Sequence, residues 1–172
     1  MTRHVHPQRQ RHRRLVLAPL DFAEERFSAI TRELSPLFKG NWEEMAVNKD
    51  IIPLDPHWDA YFQADANEAL CVTTARDADT RALVGYIISF VTPSLHYAST
   101  IMATNDIFWL DPRYRRGWAP VKMFIEHARA LKDRGAKLHV VNFKLHFQRG
   151  RVGKLLSRLG YKPIEIAMQR VL

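Results

Sequence analysis

The chain has 172 residues, of which 47% are hydrophobic, and a formal net charge of +8. This length fits one domain with its own core, and the composition is that of an ordinary globular protein. The single cysteine, Cys71, excludes an internal disulfide and a cysteine-rich zinc site. The longest strongly apolar run, residues 83–91, is far shorter than the roughly 20 residues that span a bilayer. We therefore expect a cytoplasmic protein with no metal site and no membrane partner.

Much of the positive charge lies at the N-terminus, where residues 1–14 contain five arginines and no acidic residue. We interpret residues 1–13 as a basic, disordered tail and residues 14–172 as a single domain. A basic tail attracts polyanions, so nucleic-acid binding is an alternative function. It is not the favoured one, because no aromatic side chain that could stack on bases interleaves these arginines.

The first half of the chain begins with a predicted strand over residues 14–18. A helix over residues 22–34 follows, with Asp21 and Glu24 as its capping box and with Pro36 and Gly40 ending it. Residues 41–65 are interpreted as largely irregular. Two strands then follow, over residues 69–75 and 83–91.

The second half of the chain alternates between strands and helices. A strand is predicted over residues 101–110, and a helix then presents apolar residues from Val121 to Leu131 and stops at Gly135. A strand over residues 138–143, a helix from Val152 to Leu159 and a terminal strand over residues 164–171 complete the chain. This order predicts a mixed α/β sheet with helices on its faces.

The connection from Leu110 to Val121 is the segment most informative about function. Its sequence, Leu-Asp-Pro-Arg-Tyr-Arg-Arg-Gly-Trp-Ala-Pro-Val, joins a strand to a helix. The first amides of a helix lack internal partners and attract phosphate. Gly117 allows close approach of the backbone, while Arg115 and Arg116 add permanent positive charge. The pattern predicts a ligand that carries a diphosphate; a basic connection without a ligand is the alternative.

This segment resembles the acyl-CoA motif of the GNAT N-acetyltransferases, Arg-Gly-x-Gly-x-Gly/Ala. Arg116 and Gly117 match its first two positions, Trp118 takes the variable one, and Ala119 and Val121 stand where the later glycines are usual. Further resemblances, which extend the similarity over residues 68–172, are Leu83-Val-Gly-Tyr86, Leu159-Gly-Tyr161 and the final strand over residues 164–171. His96-Tyr97 and Asn105-Asp106 resemble GNAT-like proteins of tailed phages and prophages most closely.

The resemblance implies the GNAT fold, an α/β (α+β) architecture with a mixed, mostly antiparallel sheet of six to seven strands and about four flanking helices. It implies acetyl-CoA as cofactor and direct acetyl transfer to a small amine or a protein amine, and it leaves a homodimer open. The backbone at Phe108, Trp109 and Leu110 would pair with the pantetheine amides. The residues implied around the pyrophosphate are Arg115, Arg116, Gly117, Trp118, Ala119 and Val121.

The sequence departs from the family pattern in two places. Ala119 and Val121 carry side chains where glycine is usual, and Pro120 has no N–H to donate. Leu156 stands where many members have a tyrosine that protonates the departing thiolate. A GNAT-fold binding or phage accessory protein without catalysis is therefore an alternative function.

Transfer to an ammonium substrate requires a group that accepts its proton. Asp106, in the strand over residues 101–110, is the first candidate for this base; an exposed or purely structural aspartate is the alternative. His96 and His139 are weaker candidates. The acidic and aromatic residues of the irregular segment, among them Glu44, Trp58 and Tyr61, would suit a cationic amine, or else form a solvated loop with aromatic core anchors.

Overall fold

A computed structural model describes residues 19–144 and 150–171. Within these ranges the chain forms five strands and four α-helices. The strands are β1 (Leu20–Glu24), β2 (Leu70–Asp77), β3 (Leu83–Pro93), β4 (Ile101–Leu110) and β5 (Leu138–Val140). The helices are α1 (Phe27–Met45), α2 (Trp58–Ala66), α3 (Ala119–Asp133) and α4 (Arg151–Arg158), and a short 3-10 helix (Pro112–Tyr114) precedes α3.

The strands form one sheet in the order β1-β2-β3-β4-β5. The first four strands are antiparallel to their neighbours, and β5 runs parallel to β4. The prediction of a mixed, mostly antiparallel α/β sheet with about four helices is confirmed. Six to seven strands were expected, and the described residues contain five.

The helices cover both faces of this sheet. Helix α1 packs Phe27, Ile30 and Leu34 against one face, whereas α3 and α4 pack Met123, Phe124 and Leu156 against the other. Because side chains alternate along a strand, β3 supplies both layers. Its Tyr86 and Ile88 belong to the α1 layer, and its Ile87 to the α3 and α4 layer.

The predicted helix over residues 22–34 is displaced in the structure, because residues 20–24 pair with β2 as strand β1. Helix α1 begins at Phe27, so the proposed capping box at Asp21 and Glu24 is wrong. Its first turn is capped instead by a residue distant in sequence: the Asp65 carboxylate accepts the amides of Phe27 and Ser28, each at 3.2 Å. Such a cap is invisible to a local pattern.

The same helix continues to Met45 through Pro36 and Gly40, which were expected to end it. Phe38 is buried at 3% exposure one turn after Leu34, so tertiary packing outweighs the hydrogen bond that Pro36 cannot donate. At Gly40, an added Cβ would lie 3.4 Å from the Trp109 ring, an ordinary van der Waals contact, so the helix passes directly beside β4 at this residue.

Other predicted bounds also differ. Helix α2 lies inside the segment interpreted as irregular, and β5 ends at Val140 rather than at residue 143. Residues 164–171, which were predicted as a terminal strand, pair with no other strand in the described part of the chain and are exposed. The prediction over residues 14–18 lies outside the described residues. The bounds of β4 agree with its prediction, and β2, β3, α3 and α4 agree to within a few residues.

A chain of polar side chains runs through the α3 side of the core. His127 lies between Thr73 and Ser89, with its Nδ1 2.9 Å from the threonine hydroxyl and its Nε2 2.8 Å from the serine hydroxyl. Ser89 Oγ lies 3.5 Å from His139 Nε2, and His139 Nδ1 lies 2.7 Å from the Tyr161 hydroxyl. Burial lowers the pKa of His127 to about 3 and that of His139 to about 4. Both imidazoles are therefore neutral in the folded protein near neutral pH.

We expect stability to fall as the pH falls below about 6.5, the usual histidine pKa. The unfolded chain takes up protons there, while folded His139 resists protonation down to about pH 4 and folded His127 to about pH 3. His127 alone should contribute a slope of about 1.4 kcal/mol per pH unit. Urea unfolding from pH 7.5 to 4.5 measures this slope. His127→Gln should flatten it and the exposed-loop control His96→Gln should not; equal slopes for both variants would contradict the assignment.

Candidate functional site

Strand β4 has one extra residue, Asp106, relative to its neighbour β3. Ser89 of β3 pairs with Asn105 and Ile88 pairs with Ile107, so Asp106 lies at a β-bulge without an opposite residue. Its side chain is exposed on the face that carries α2, where the Tyr61 hydroxyl donates a hydrogen bond to Asp106 Oδ2 at 2.5 Å. Burial, together with this contact, raises the pKa of Tyr61, so the phenol remains a protonated donor.

Strands β4 and β5 separate immediately before this bulge. Their pairing comprises Met102 with Leu138, Ala103 with His139 and Thr104 with Val140, and then ends. From Asn105 to Leu110, β4 pairs only with β3 in the described ranges. One edge of its second half is therefore open.

A polar atom without a partner lies at the vertex of this separation. The Asn105 side chain is 2% exposed and donates from Nδ2 to the Ile88 carbonyl at 3.2 Å, but its Oδ1 accepts no hydrogen bond from the described residues. Buried polar atoms are almost always satisfied by protein, water or ligand. Asn105 therefore leaves one acceptor for a donor outside the described residues.

The connection after β4 is held to the sheet by Tyr114. This residue is 9% exposed, and its hydroxyl donates to the Asp77 carboxylate at 2.6 Å. Gly117 follows with a φ of +65°, a left-handed conformation that favours glycine, and no atom lies within 4 Å of the position of its missing Cβ. The loop is thus anchored at one end and open at Gly117.

The N-terminus of α3 opens beside this glycine. No side chain of the described residues caps it, and Pro120 in the first turn has no N–H. The amides of Ala119 and Val121 therefore lack intrahelical partners. Trp118 is 78% exposed and Arg116 is also exposed next to it. Free amides, the helix dipole and a guanidinium group make this corner suitable for an anion.

Arg115 contacts a different part of the site. Its Nε donates to the Leu110 carbonyl at 2.5 Å, and its two terminal nitrogens contact the carboxylate of Glu44 in α1. Trp109 Nε1 donates to the same carboxylate at 2.9 Å, and the guanidinium lies 5.7 Å from the centroid of the Trp109 ring. Arg115 holds the pKa of the Glu44 carboxyl below its usual value. Arg116 is therefore the exposed arginine of the predicted pair, and Arg115 is ion-paired.

The open edge of β4 is covered by side chains in this structure. Asn41 Nδ2 of α1 donates to the Phe108 carbonyl at 3.1 Å, while Arg115 occupies the carbonyl of Leu110. The Phe108 ring packs edge-to-face on Phe124 of α3, and Leu110 is buried in the same layer. Any ligand that pairs with these two carbonyl groups must displace the side chains first.

The remaining sequence candidates lie in four different environments. Ala119 and Val121 are half-buried at the start of α3, and His96 is exposed in the connection between β3 and β4. His139 belongs to the buried polar chain and not to the open edge. Trp58 and Tyr61 stack on Phe38 and Phe27, so these aromatic residues are core anchors.

Sequence reasoning missed Asn41 as a residue that contacts the site. It named Glu44 and Tyr61 only as groups that would suit a cationic amine, without their contacts to Arg115 and Asp106. Asn41 and Glu44 are three residues apart on α1, a spacing that places both on one helix face. That signal was lost when the helix was predicted to end at Gly40. Tyr61 was assigned to an irregular segment, and only its helix, α2, carries it to Asp106.

The described residues contain neither a membrane-spanning helix nor a cluster of potential metal ligands. None of their helices has the length and apolar character needed to span a bilayer. Nor do their histidine, cysteine and acidic side chains form a group of three or more that could hold a metal ion.

Comparison with known proteins finds similarity in structure and not in sequence. No protein-family model and no curated protein matches this sequence. An aminoglycoside acetyltransferase from an uncultured soil metagenomic sample superposes with a TM-score of 0.69 at 12% identity, over 90% of this chain and 99% of that one. A ribosomal-protein-alanine N-acetyltransferase from Brucella melitensis gives a TM-score of 0.62 at 15% identity, over 90% and 99%.

A third similar structure contains a ligand. The predicted acetyltransferase from Clostridium acetobutylicum, solved with acetyl-CoA, gives a TM-score of 0.65 at 13% identity over 89% of this chain and 96% of that one. At these identities the likeness concerns the fold alone, and it extends over nearly the whole of each chain. The fold of this chain is therefore similar to the fold of these acetyltransferases.

Proposed function

We propose that this chain is an acyl-CoA-dependent N-acyltransferase, which transfers an acetyl group from acetyl-CoA to a primary amine by direct attack. The observation that carries the proposal is the juxtaposition of two features at one side of β4. The first is the uncapped N-terminus of α3, and the second is the opening between β4 and β5, with Asp106 at its vertex. The GNAT fold supports the same function.

The chain's own groups fit acetyl-CoA at this position. Arg116 and the amides of Ala119 and Val121 would hold the diphosphate, and Gly117 leaves space beside it. The amide N–H groups of the pantetheine arm could donate the hydrogen bond that Asn105 Oδ1 does not receive from the described residues. When bound, acetyl-CoA would supply a thioester carbonyl that a neutral amine attacks, with the CoA thiolate as leaving group.

Asp106 is the group proposed to accept the proton of the incoming ammonium. Its bulged position turns the carboxylate toward α2 at the point where β4 leaves β5. Tyr61 donates to one carboxylate oxygen, which fixes the side chain and leaves the other oxygen for the substrate. The positive charge of an ammonium also favours this carboxylate as a binding partner.

The acceptor is proposed only as an amine. The structural neighbours include an aminoglycoside acetyltransferase and a ribosomal-protein-alanine N-acetyltransferase, so one fold serves small and protein amines. Leu156 is buried at 4% exposure in the α3 and α4 layer and cannot protonate a thiolate. Because a CoA thiolate is a fair leaving group, transfer does not require that donor.

Acetyl-CoA should raise the melting temperature of the protein. The stabilisation should be about 2.7 kcal/mol at roughly 100-fold excess over the dissociation constant. Arg116→Glu should abolish this shift, because it places a carboxylate where the diphosphate is proposed to bind. Arg32→Glu makes the same charge change on the exposed surface of α1 and should keep the shift. A shift that survives in Arg116→Glu would mean that the phosphate site lies elsewhere.

Glu44→Gln should strengthen CoA binding, because it frees Arg115 from its ion pair. A pair of this partly buried kind is worth ~1 kcal/mol, which corresponds to roughly fivefold tighter binding. Isothermal titration with CoA measures the effect. The neighbouring residue provides the control, since Glu43 is exposed and its carboxylate lies 3.9 Å from Lys39. If Glu44→Gln binds CoA no better than Glu43→Gln, Arg115 does not contribute to the phosphate site.

Asp106→Asn should slow acetyl transfer by about 100-fold or more while leaving CoA binding intact, since the amide cannot accept the proton. Thiol release from acetyl-CoA, measured with aminoglycosides, alkylamines and a peptide with N-terminal alanine, gives the rate. Asp59→Asn, an exposed change in α2, should be neutral. Unchanged turnover in Asp106→Asn would remove this residue from the base role. Binding of acetyl-CoA without transfer to any amine would favour a GNAT-fold protein without catalysis.

A further inference from the structure

The two parts of the chain that meet after β4 carry opposite charges. Residues 19–112, which form β1 to β4, α1 and α2, contain 15 acidic and 6 basic residues. Residues 113–162, which form α3, β5 and α4, contain 14 basic and 2 acidic residues. Because α1 and α2 lie on one face of the sheet and α3 and α4 on the other, the two faces of the molecule differ in the sign of their charge. Such an asymmetry indicates a polyanionic partner for the basic face.

Most of the basic residues on the α3 and α4 face are not neutralised by carboxylates. Four arginines of residues 113–162 form ion pairs, namely Arg113, Arg115, Arg129 and Arg134. The other basic residues that the structure describes in this range are exposed and have no ion-pair partner among residues 19–144 and 150–171; they are Arg116, Lys122, Lys132, Lys137, Lys144, Arg151, Lys154, Arg158 and Lys162. Their positive charge is therefore available to a partner.

Helix α4 presents three of these residues along one side. Arg151, Lys154 and Arg158 are three and four positions apart, a spacing that places them on the same side of a helix. The opposite side of α4 buries Leu156 in the same layer as the first half of α3. The three basic side chains are exposed and point away from this layer.

An exposed indole ring lies within the same basic part of the chain. Trp118, directly before α3, is 78% exposed, and Arg116 and Lys122 on either side of it are also exposed. Single-stranded nucleic acids bind to surfaces of this composition, because basic groups contact the phosphates while bases stack on aromatic rings. The arginines of residues 1–14 have no such aromatic neighbour. The combination favours a single strand over a partner that offers negative charge alone.

We propose that the α3 and α4 face binds single-stranded nucleic acid, with the phosphates along Arg151, Lys154 and Arg158 and a base stacked on Trp118. The acidic α1 and α2 face repels the same strand, so the strand is confined to one side of the sheet. Asp106, which faces α2, stays uncovered. The proposal does not depend on acetyl transfer. Because Arg116 is also proposed to hold the diphosphate of acetyl-CoA, the first test changes α4, which lies outside that corner.

Fluorescence anisotropy with the full chain and a labelled oligothymidylate measures the binding. A strand of about 20 nucleotides is longer than the usual site of this class. The logarithm of the association constant should fall linearly with the logarithm of the salt concentration. The triple variant Arg151→Ala/Lys154→Ala/Arg158→Ala should bind more weakly and lose about 2 from this slope, since each phosphate contact on a single strand contributes about 0.7.

The matched control removes the same charge from the opposite face. Arg32→Ala/Lys39→Ala/Lys49→Ala changes three exposed residues of α1 and of the connection that follows it, and it should keep the affinity and the slope of the natural chain. Both variants retain the N-terminal arginines, so any contribution of the tail is equal. An α4 variant that binds like the natural chain would overturn the proposal, as would equal losses in the two variants.

Trp118→Ala tests the stacking contact. It should weaken binding of the single strand about tenfold and change binding of a duplex little, because paired bases are already stacked on one another. Tyr97→Ala, at an aromatic residue 66% exposed between β3 and β4, should have no effect on either. Equal losses for strand and duplex would contradict the single-stranded assignment. Retention on phosphatidylserine vesicles without oligonucleotide binding would replace the nucleic acid by a membrane surface and overturn the proposal.

Discussion

The parallel pairing of β4 with β5 ends after three residue pairs, directly before the bulge at Asp106, and the candidate site depends on this geometry. The bulge turns the Asp106 carboxylate to the α2 side, and the loss of pairing leaves the second half of β4 with an open edge. Asn105 lies between the two, with a buried oxygen that lacks a donor. A strand without the extra residue would lack the carboxylate that lies at the end of this pairing.

The structure also shows competition for that open edge. Asn41 and Arg115 bond the carbonyl groups of Phe108 and Leu110, and Glu44 holds Arg115 in place. The proposed ligand would therefore replace these polar contacts with its own. The net free energy of binding would be smaller than the number of new contacts suggests, because the existing contacts are lost. The ligand would also release the Glu44 carboxylate on the α1 side. Binding of a ligand at the edge of β4 would thus make the Glu44 carboxylate available for other contacts.

The sequence predicted those parts of the fold that local patterns determine. The bounds of β4, the course of α3 and α4 and the glycine loop at Gly117 follow from periodicity and turn residues, and the structure places them as expected. The parts that failed depend on contacts between distant residues. Asp65 caps α1 from 38 positions away, and the burial of Phe38 carries that helix through Pro36. Asn41 was missed, and the contacts of Glu44 with Arg115 and of Tyr61 with Asp106 were not predicted, for the same reason, since no motif surrounds these residues.

The proline in the middle of α1 has a mechanical consequence. Pro36 removes one rung of backbone hydrogen bonding between two buried anchors, Leu34 and Phe38. The C-terminal turns of the helix, which carry Asn41 and Glu44, are therefore joined to the rest less stiffly than an uninterrupted helix would be. The buried Phe38 side chain, which follows the proline, packs in the same core layer as Ile30 and Leu34. Any bending at this joint that moved Asn41 and Glu44 away from β4 would therefore also have to withdraw Phe38 from the core.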